Sequence, residues 1–199
     1  MTIKQAITEH EKVEVEFVPP GVTERSQTPF EMSSFSSLGP TVDFTIKPDL
    51  VAVGGGSFGA VQDDVPVGGP SGNRFRLSGY DFISGTSFAS PRVAGAAALV
   101  KQAHPDWNPE RIKSALVLTA DRPSPLDLLP AMTRGAGHVT VAEAVDVPVL
   151  ALPPTLSFRR QMFSNTTTTS EEFVLENVSA VKLSVSLRVN PRTDGGLLR

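Results

Sequence analysis

One stretch of this chain, residues 84–100, constrains the fold more than any other. It reads SGTSFASPRVAGAAALV. Gly85 is expected to allow a tight turn that a Cβ atom would block. Ser87 then lies near a helix N-terminus, where free N–H groups and the helix dipole favour negative charge. The pattern predicts a serine hydroxyl at the mouth of a helix, with the Ser87 N–H as a donor to an oxyanion on a substrate carbonyl.

The remainder of this stretch predicts a closely packed helix. Pro91 is expected in the first turn, where its missing N–H costs no helical hydrogen bond. Residues 93–100 are apolar and nearly all small, so this helix can pack on every side. A simpler interpretation is a serine N-cap in front of a buried helix, without any chemistry.

The stretch resembles the serine-nucleophile motif of the subtilisin-like serine proteases, whose usual form is Gly-Thr-Ser-Met-Ala-Thr/Ser-Pro-His-Val-Ala-Gly. Phe88 stands where Met is usual and Arg92 where His is usual. The matching residues are Gly85, Thr86, Ser87, Ala89, Ser90, Pro91, Val93, Ala94 and Gly95.

Two segments upstream resemble further motifs of the same family. Residues 32–40 are similar to Ser-Ser-Phe-Ser-Ser-x-Gly-Pro. Residues 47–55 are similar to Lys-Pro-Asp-x-x-Ala-Pro-Gly, with Val53 in place of the usual Pro. From composition alone, these segments are predicted to be a polar turn and a short buried strand closed by glycines.

The resemblance implies a serine endopeptidase that hydrolyses polypeptides through an acyl-enzyme on Ser87. It assigns Ser84, Gly85 and Thr86 to substrate binding or to the oxyanion site. It also implies a secreted enzyme without an organic cofactor. Calcium is common in the family, but no ligands are identifiable here, and no metal-binding residues are assigned.

A serine nucleophile needs a base and a group that orients the base. In the family, an Asp segment, a His segment and an oxyanion Asn precede the serine, and nothing before Ser87 matches them. His10 is the one upstream histidine, and it lies among charged residues. We therefore expect a C-terminal portion of a catalytic domain, which on its own is inactive and weakly stable.

The region after residue 100 contains further helix signals. Asn108 is a predicted N-cap and Pro109 the first helical residue, with Ile112, Ala115, Leu116 and Thr119 on one face. Trp107 is expected to pack between two helices. Residues 135–139 resemble the Gly-x-Gly close to the end of the family's catalytic domain. Residues 140–143 form a capping-box pattern at the start of a last short helix.

The hydrophobic period changes to two after residues 147–154, which predicts strands. The fold class expected is α/β: a partial subtilisin-like parallel-sheet catalytic domain over residues 1–148. A partial all-β sandwich, similar to fibronectin III modules, is expected over residues 149–199. About three strands are predicted in this second domain, whereas a complete sandwich usually has about seven.

Charge and composition exclude several classes of protein. The net charge of −3 gives no basic surface for nucleic acid, and the sequence contains no cysteine. No apolar run is long enough to span a membrane, and no signal peptide is readable. Residues 54–59 spell G-x-G-x-x-G, but residues 54–74 are predicted to be a surface loop rather than the start of a helix, which argues against a dinucleotide site.

Two other functions are compatible with these residues. In an α/β-hydrolase the acid and the base follow the serine, as Asp121 or Asp127 and His138 do here, although the last glycine of the G-x-S-x-G motif is absent. Alternatively, the chain is a non-catalytic remnant or binding module of the protease fold. The absent base and the three departures from the family motifs favour this second alternative.

Overall fold

A computed structural model describes residues 28–60, 80–158 and 170–189 of the chain. Four short strands and four helices lie in this part. The strands are β1 (Ser57–Ala60), β2 (Tyr80–Ile83), β3 (Val149–Leu152) and β4 (Val174–Asn177). The helices are α1 (Thr86–Ala103), α2 (Pro109–Leu118), α3 (Ala131–Arg134) and α4 (Val141–Val145), with a 3₁₀ turn at Leu126–Leu128. Apolar and acidic residues alternate over residues 13–17, which predicts a half-buried strand. This segment and His10 lie outside the described residues.

Helix α1 follows the serine turn, as the sequence predicts, but two details differ. The helix begins at Thr86, so Pro91 lies in its second turn, where it removes the N–H that would otherwise bond to the carbonyl of Ser87. The apolar stretch is also not enclosed on every side. Ala96 and Val100 are buried, whereas Leu99 is 52% exposed, because the described residues cover only one face of the helix.

Helix α2 confirms the predicted N-terminal signal. Asn108 has an extended backbone, and its side-chain oxygen accepts a hydrogen bond from the N–H of Arg111 at 2.9 Å, with Pro109 in the first helical position. Ala115 and Leu116 are buried as predicted. The side chain of Ser114 is also fully buried, a position that the apolar pattern does not identify.

The core lies between α1, α2, α4 and β3. It is made of buried side chains from these elements and from the turn between α1 and α2: Ala96, Val100, Trp107, Ala115, Leu116, Ala144 and Leu150. Trp107 confirms its predicted packing role, because it is only 4% exposed. Its ring stacks on His104, with centroids 3.8 Å apart, and His104 Nε2 hydrogen-bonds to the carbonyl of Val145 at 2.8 Å.

The two strand ladders of the described residues are both antiparallel, β1 with β2 and β3 with β4. Parallel pairing is limited there to one bridge, between Val51 and His138. The predicted loop over residues 54–74 is therefore wrong at β1, because the weakly β-forming residues 57–60 are ordered by their partner strand. Phe58 lies 5.7 Å from Tyr80 and 5.1 Å from Phe82, between ring centroids.

Gly135 and Gly137 lie where backbone segments cross, and both have positive φ angles. A Cβ atom on Gly135 would lie 2.4 Å from the carbonyl oxygen of Asp49, and one on Gly137 would lie 2.2 Å from that of Asp121. His138 then bridges Val51 on one side and Asp121 on the other. The two glycines thus allow residues 136–139 to form backbone hydrogen bonds with residues 49–51 on one side and with Asp121 on the other.

The capping-box pattern at residues 140–143 predicts the start of α4 correctly, but the hydrogen bond that it predicts from the helix to the Thr140 side chain is not formed. Thr140 is the N-cap of α4, but its hydroxyl makes no cap hydrogen bond. It donates instead to the carbonyl of Thr119 at 2.5 Å. A tertiary acceptor therefore competes successfully with the local one.

The β-sandwich predicted after residue 148 is not observed in the described residues. There, the region contains the two-stranded ladder of β3 and β4, and residues 182–189 form no strand. Leu150 of β3 belongs to the same core as α1 and α2. The domain boundary at residue 148 remains a prediction, and the chain packs continuously across it.

Candidate active site

Ser87 is exposed at the N-terminal end of α1, in the second helical position. The first N–H groups of a helix have no carbonyl one turn earlier to bond to. The N–H of Ser87 is therefore available to an outside acceptor, close to the positive end of the helix dipole. Among the described residues, no hydrogen bond engages the Ser87 hydroxyl. The predicted presentation of a serine at a helix mouth is thus present in the fold.

A close backbone crossing holds the turn in front of Ser87. The N–H of Gly85 donates to the carbonyl of Gly54 at 2.8 Å. A Cβ atom on Gly54 would lie 2.7 Å from the carbonyl oxygen of Gly85, so residue 54 must lack a side chain. The expectation that Gly85 itself is sterically required is wrong. Its backbone is extended, with φ 162°, and a Cβ there would make only ordinary contacts, 3.8 Å from Phe88.

The other predicted substrate-binding residues surround the same turn. The hydroxyl oxygen of Ser84 accepts a hydrogen bond from the N–H of Gly56 at 2.9 Å. Together with the bond between Gly85 and Gly54, it ties the turn to residues 53–57, the glycine segment. Thr86 is the first residue of α1 and is exposed. Strand β2 ends at Ile83 and leads directly into Ser84.

Arg92 also contacts the glycine segment. Its Nη1 donates to the carbonyl of Val53 at 2.7 Å, and its Nη2 donates to the hydroxyl of Ser57 at 3.1 Å. Both Arg92 and Val53 depart from the family motifs. The structure therefore gives one of those departures, Arg92, a defined set of partners.

The groups that the α/β-hydrolase alternative requires are not joined to Ser87 by hydrogen bonds in the described residues. His138 and Asp121 are paired through their backbones, at 2.7 and 2.8 Å. The His138 ring makes an edge contact with Phe30, with centroids 5.5 Å apart. One carboxylate oxygen of Asp127 is buried without a hydrogen-bond partner.

Asp49 forms ion pairs with two lysines, Lys47 and Lys113. Partial burial opposes ionisation of its carboxyl group, but hydrogen bonds from Lys113 and Lys47 outweigh that effect and lower its pKa below the ordinary value. Lys113 Nζ lies 2.8 Å from Asp49 Oδ1, and Lys47 binds the other carboxylate oxygen. The interaction ties the segment before Val51 to α2.

The residues described in the structure contain no group of three or more His, Cys, Asp or Glu side chains that could hold a metal ion. No calcium ligand is assigned, and calcium enters no step of the function proposed below. Within residues 28–60, 80–158 and 170–189, no helix is long and apolar enough to cross a membrane.

Three parts of the site escaped the sequence-based prediction: the Gly54 crossing, the Ser84–Gly56 hydrogen bond and the Arg92 contacts. Each joins segments about 28 to 39 residues apart, a separation over which no local pattern operates. One usable signal was present, because the run Gly54-Gly55-Gly56 indicates a close backbone approach.

Comparison with known protein families was consistent with the serine motif. The model of the subtilase family matches residues 6–148, which is most of the chain. The chain is 34% identical to the minor extracellular protease Vpr of Bacillus subtilis over 161 residues, covering 79% of this chain and 19% of Vpr. It is 38% identical to subtilisin-like protease SBT1.9 of Arabidopsis thaliana over 118 residues, covering 58% of this chain and 15% of that protein. The chain thus spans about a fifth or less of the length of these curated relatives.

Among solved structures, the chain is similar to fervidolysin from Fervidobacterium pennivorans, a keratinolytic enzyme related to subtilisin. The sequence identity is 24% and the TM-score 0.36, covering 49% of this chain and 16% of that one. The sequence matches, rather than this structural likeness, indicate the family.

Proposed function

The chain belongs to the subtilase family, and on that premise we propose that it supplies the nucleophile segment of a serine endopeptidase that hydrolyses peptide bonds in polypeptides. The observation that carries the proposal is the placement of Ser87: exposed, second in helix α1, and fixed behind the Gly54–Gly85 crossing. Membership of the subtilase family supports a serine endopeptidase activity. We propose the following roles for the individual residues.

The proposed reaction uses Ser87 in two steps. Its Oγ attacks the carbonyl carbon of the scissile bond, and its proton passes to a general base. The N–H of Ser87 donates to the oxyanion that develops on the carbonyl oxygen. The C–N bond then breaks, the leaving amine takes the proton, and an acyl-enzyme on Ser87 remains. Water, deprotonated by the same base, then attacks the acyl carbon. The bond between the acyl carbon and Ser87 Oγ breaks, the carboxylic acid product leaves, and the base returns its proton to Ser87 Oγ.

The surrounding turn has a supporting role in this proposal. Ser84, Gly85 and Thr86 line the path of the substrate backbone beside the nucleophile. The Ser84 hydroxyl already accepts a hydrogen bond from the N–H of Gly56. We therefore propose that Ser84 shapes the wall of the substrate path and takes no part in proton transfer. The base, the group that orients it and the oxyanion Asn are proposed to come from residues outside this chain, in a longer protein. A secreted protein is proposed, because the relative Vpr is named as extracellular.

A non-catalytic role remains a second candidate for the chain in isolation. It is favoured by one observation: in the described residues, no titratable side chain hydrogen-bonds to the hydroxyl of Ser87. A serine without a base keeps its ordinary weak nucleophilicity. We therefore propose that the 199-residue chain alone does not turn over peptides.

The test compares the 199-residue chain with any longer protein that the open reading frame through it encodes. Hydrolysis of casein and labelling by a fluorophosphonate probe are measured for the wild type, Ser87→Ala and the matched control Ser90→Ala. Losing the serine lowers turnover by about 10⁶-fold in subtilisin, itself a member of this family. We expect a loss of that order only in Ser87→Ala of the longer protein. Equal activity in Ser87→Ala and Ser90→Ala would overturn the assignment of Ser87. Turnover by the 199-residue chain alone would overturn the proposal that its partners lie elsewhere.

A further inference from the structure

The guanidinium of Arg92 holds both ends of the glycine segment. Arg92 lies on α1, five residues after Ser87. One terminal nitrogen donates to the carbonyl of Val53 at 2.7 Å, and the other donates to the hydroxyl of Ser57 at 3.1 Å. Within the described residues, no carboxylate forms an ion pair with Arg92. Its contacts are therefore hydrogen bonds from a charged donor to neutral acceptors, which are stronger than neutral pairs.

Only glycines 54–56 lie between these two acceptors. Glycine loses more backbone freedom on folding than any other residue, so three in a row need external contacts to become ordered. Gly56 also adopts a positive φ of 61°. The two residues that flank the run, Val53 and Ser57, are the ones that Arg92 binds.

This segment in turn holds the turn that precedes the nucleophile. Gly54 accepts from the N–H of Gly85 at 2.8 Å, and Gly56 donates to the hydroxyl of Ser84 at 2.9 Å. A displacement of the segment would therefore act directly on the two residues that precede Thr86 and Ser87. The chain of contacts runs from Arg92 to the glycine segment, and from there to the serine turn.

We propose that Arg92 is a positioning residue that orders residues 53–57 and thereby fixes the direction in which Ser87 is presented. The consequence for activity rests on the proposed function, whereas the ordering of the glycine segment does not. The planar fork of arginine is required, because lysine offers one compact ammonium group and cannot span two acceptors in the same geometry.

The first measurement is hydrogen exchange at the amides of Gly56 and Gly85, in the 199-residue chain. Both amides should exchange about tenfold faster in Arg92→Ala, because the two hydrogen bonds of the Arg92 side chain stabilise the segment by about that factor in its opening equilibrium. Arg92→Lys should lie between Ala and the wild type. Arg188→Ala is the matched control, because Arg188 is exposed, and it should leave both amides unchanged. Unchanged exchange at the core amide of Leu116 verifies that each variant is folded. Equal exchange in Arg92→Ala and the wild type would overturn the proposal.

The second measurement is the second-order rate constant for labelling of Ser87 by a fluorophosphonate probe, in the longer protein of the activity test. We expect the rate to fall at least fivefold in Arg92→Ala and to recover in part in Arg92→Lys. Faster exchange at Gly56 with an unchanged labelling rate would overturn the positioning role. If the wild-type protein is not labelled at all, the proposed function fails, and the exchange experiment still decides whether Arg92 orders the segment.

Discussion

Ser114 should be essential to the stability of the core although it has no part in the chemistry. It lies on α2 and is fully buried. Its hydroxyl donates to the carbonyl of Ala151 at 2.8 Å and accepts from the N–H of Ala151 at 3.0 Å. Ala151 is paired across β3–β4 with Leu175, and its own N–H and C=O groups turn towards α2. One oxygen atom therefore joins the helix to the strand in both directions.

The cost of Ser114→Ala can be worked from these contacts. The change leaves the N–H and the C=O of Ala151 buried without partners, at about 1.5 kcal/mol each. Alanine offsets about 0.5 kcal/mol through its higher helix propensity. The free energy of unfolding should therefore fall by about 2.5 kcal/mol, which is about a 60-fold change in the unfolding equilibrium.

The assay is urea unfolding of the 199-residue chain, followed by far-UV circular dichroism, together with hydrogen exchange at the Ala151 amide. Ser90→Ala removes the same hydroxyl from an exposed helical position and should change the free energy of unfolding by less than about 0.5 kcal/mol. The Ala151 amide should lose protection in Ser114→Ala alone. If Ser114→Ala were no less stable than Ser90→Ala, the double hydrogen bond would not be a stabilising contact.

Two further predictions concern the crossing segments around residues 49 and 137. Gly137→Ala would put its Cβ 2.2 Å from the carbonyl oxygen of Asp121 and should lower the melting temperature strongly. In the control Gly59→Ala, the added Cβ meets nothing within 4 Å, so the melting temperature should change little. Calorimetry of both variants checks this prediction, and equal melting temperatures would contradict it. The pKa of Asp49 is lowered from its ordinary value of 3.8, so its ionised form stabilises the fold above that value, and this contribution is lost as the pH falls through the lower folded-state value. Asp49→Asn should therefore be less stable than the wild type at pH 7 by about 0.5–1 kcal/mol, given the partial exposure of the pair, and the difference should vanish in strong acid. A difference that is constant across the pH range would contradict the role of Lys113 and Lys47.

The parts of the fold that could be predicted are those encoded by neighbours in the sequence. Asn108 and Pro109 cap a helix through contacts within one turn, and the apolar spacing of α2 identifies Ala115 and Leu116 as core residues. The serine turn was predicted for the same reason, because the glycine, the serine and the small helix residues are contiguous.

The parts that could not be predicted depend on partners far along the chain. Thr140 satisfies the capping pattern, yet its hydroxyl bonds to Thr119, which lies 21 residues away. Ser114 looks like a polar interruption of an apolar face until β3 supplies the matching backbone groups. The steric requirement was likewise assigned to Gly85 in the serine motif, whereas the crossing places it on Gly54.

The stacking of Trp107 on His104 gives this protein an optical reporter of its own. Trp107 is the sole tryptophan of the chain, and it lies in the core between α1 and α2. Its emission should shift to longer wavelength when the helix pair opens to water, without any added dye. Because the indole stacks on the imidazole of His104, with ring centroids 3.8 Å apart, His104→Ala should also change the emission intensity of the folded protein.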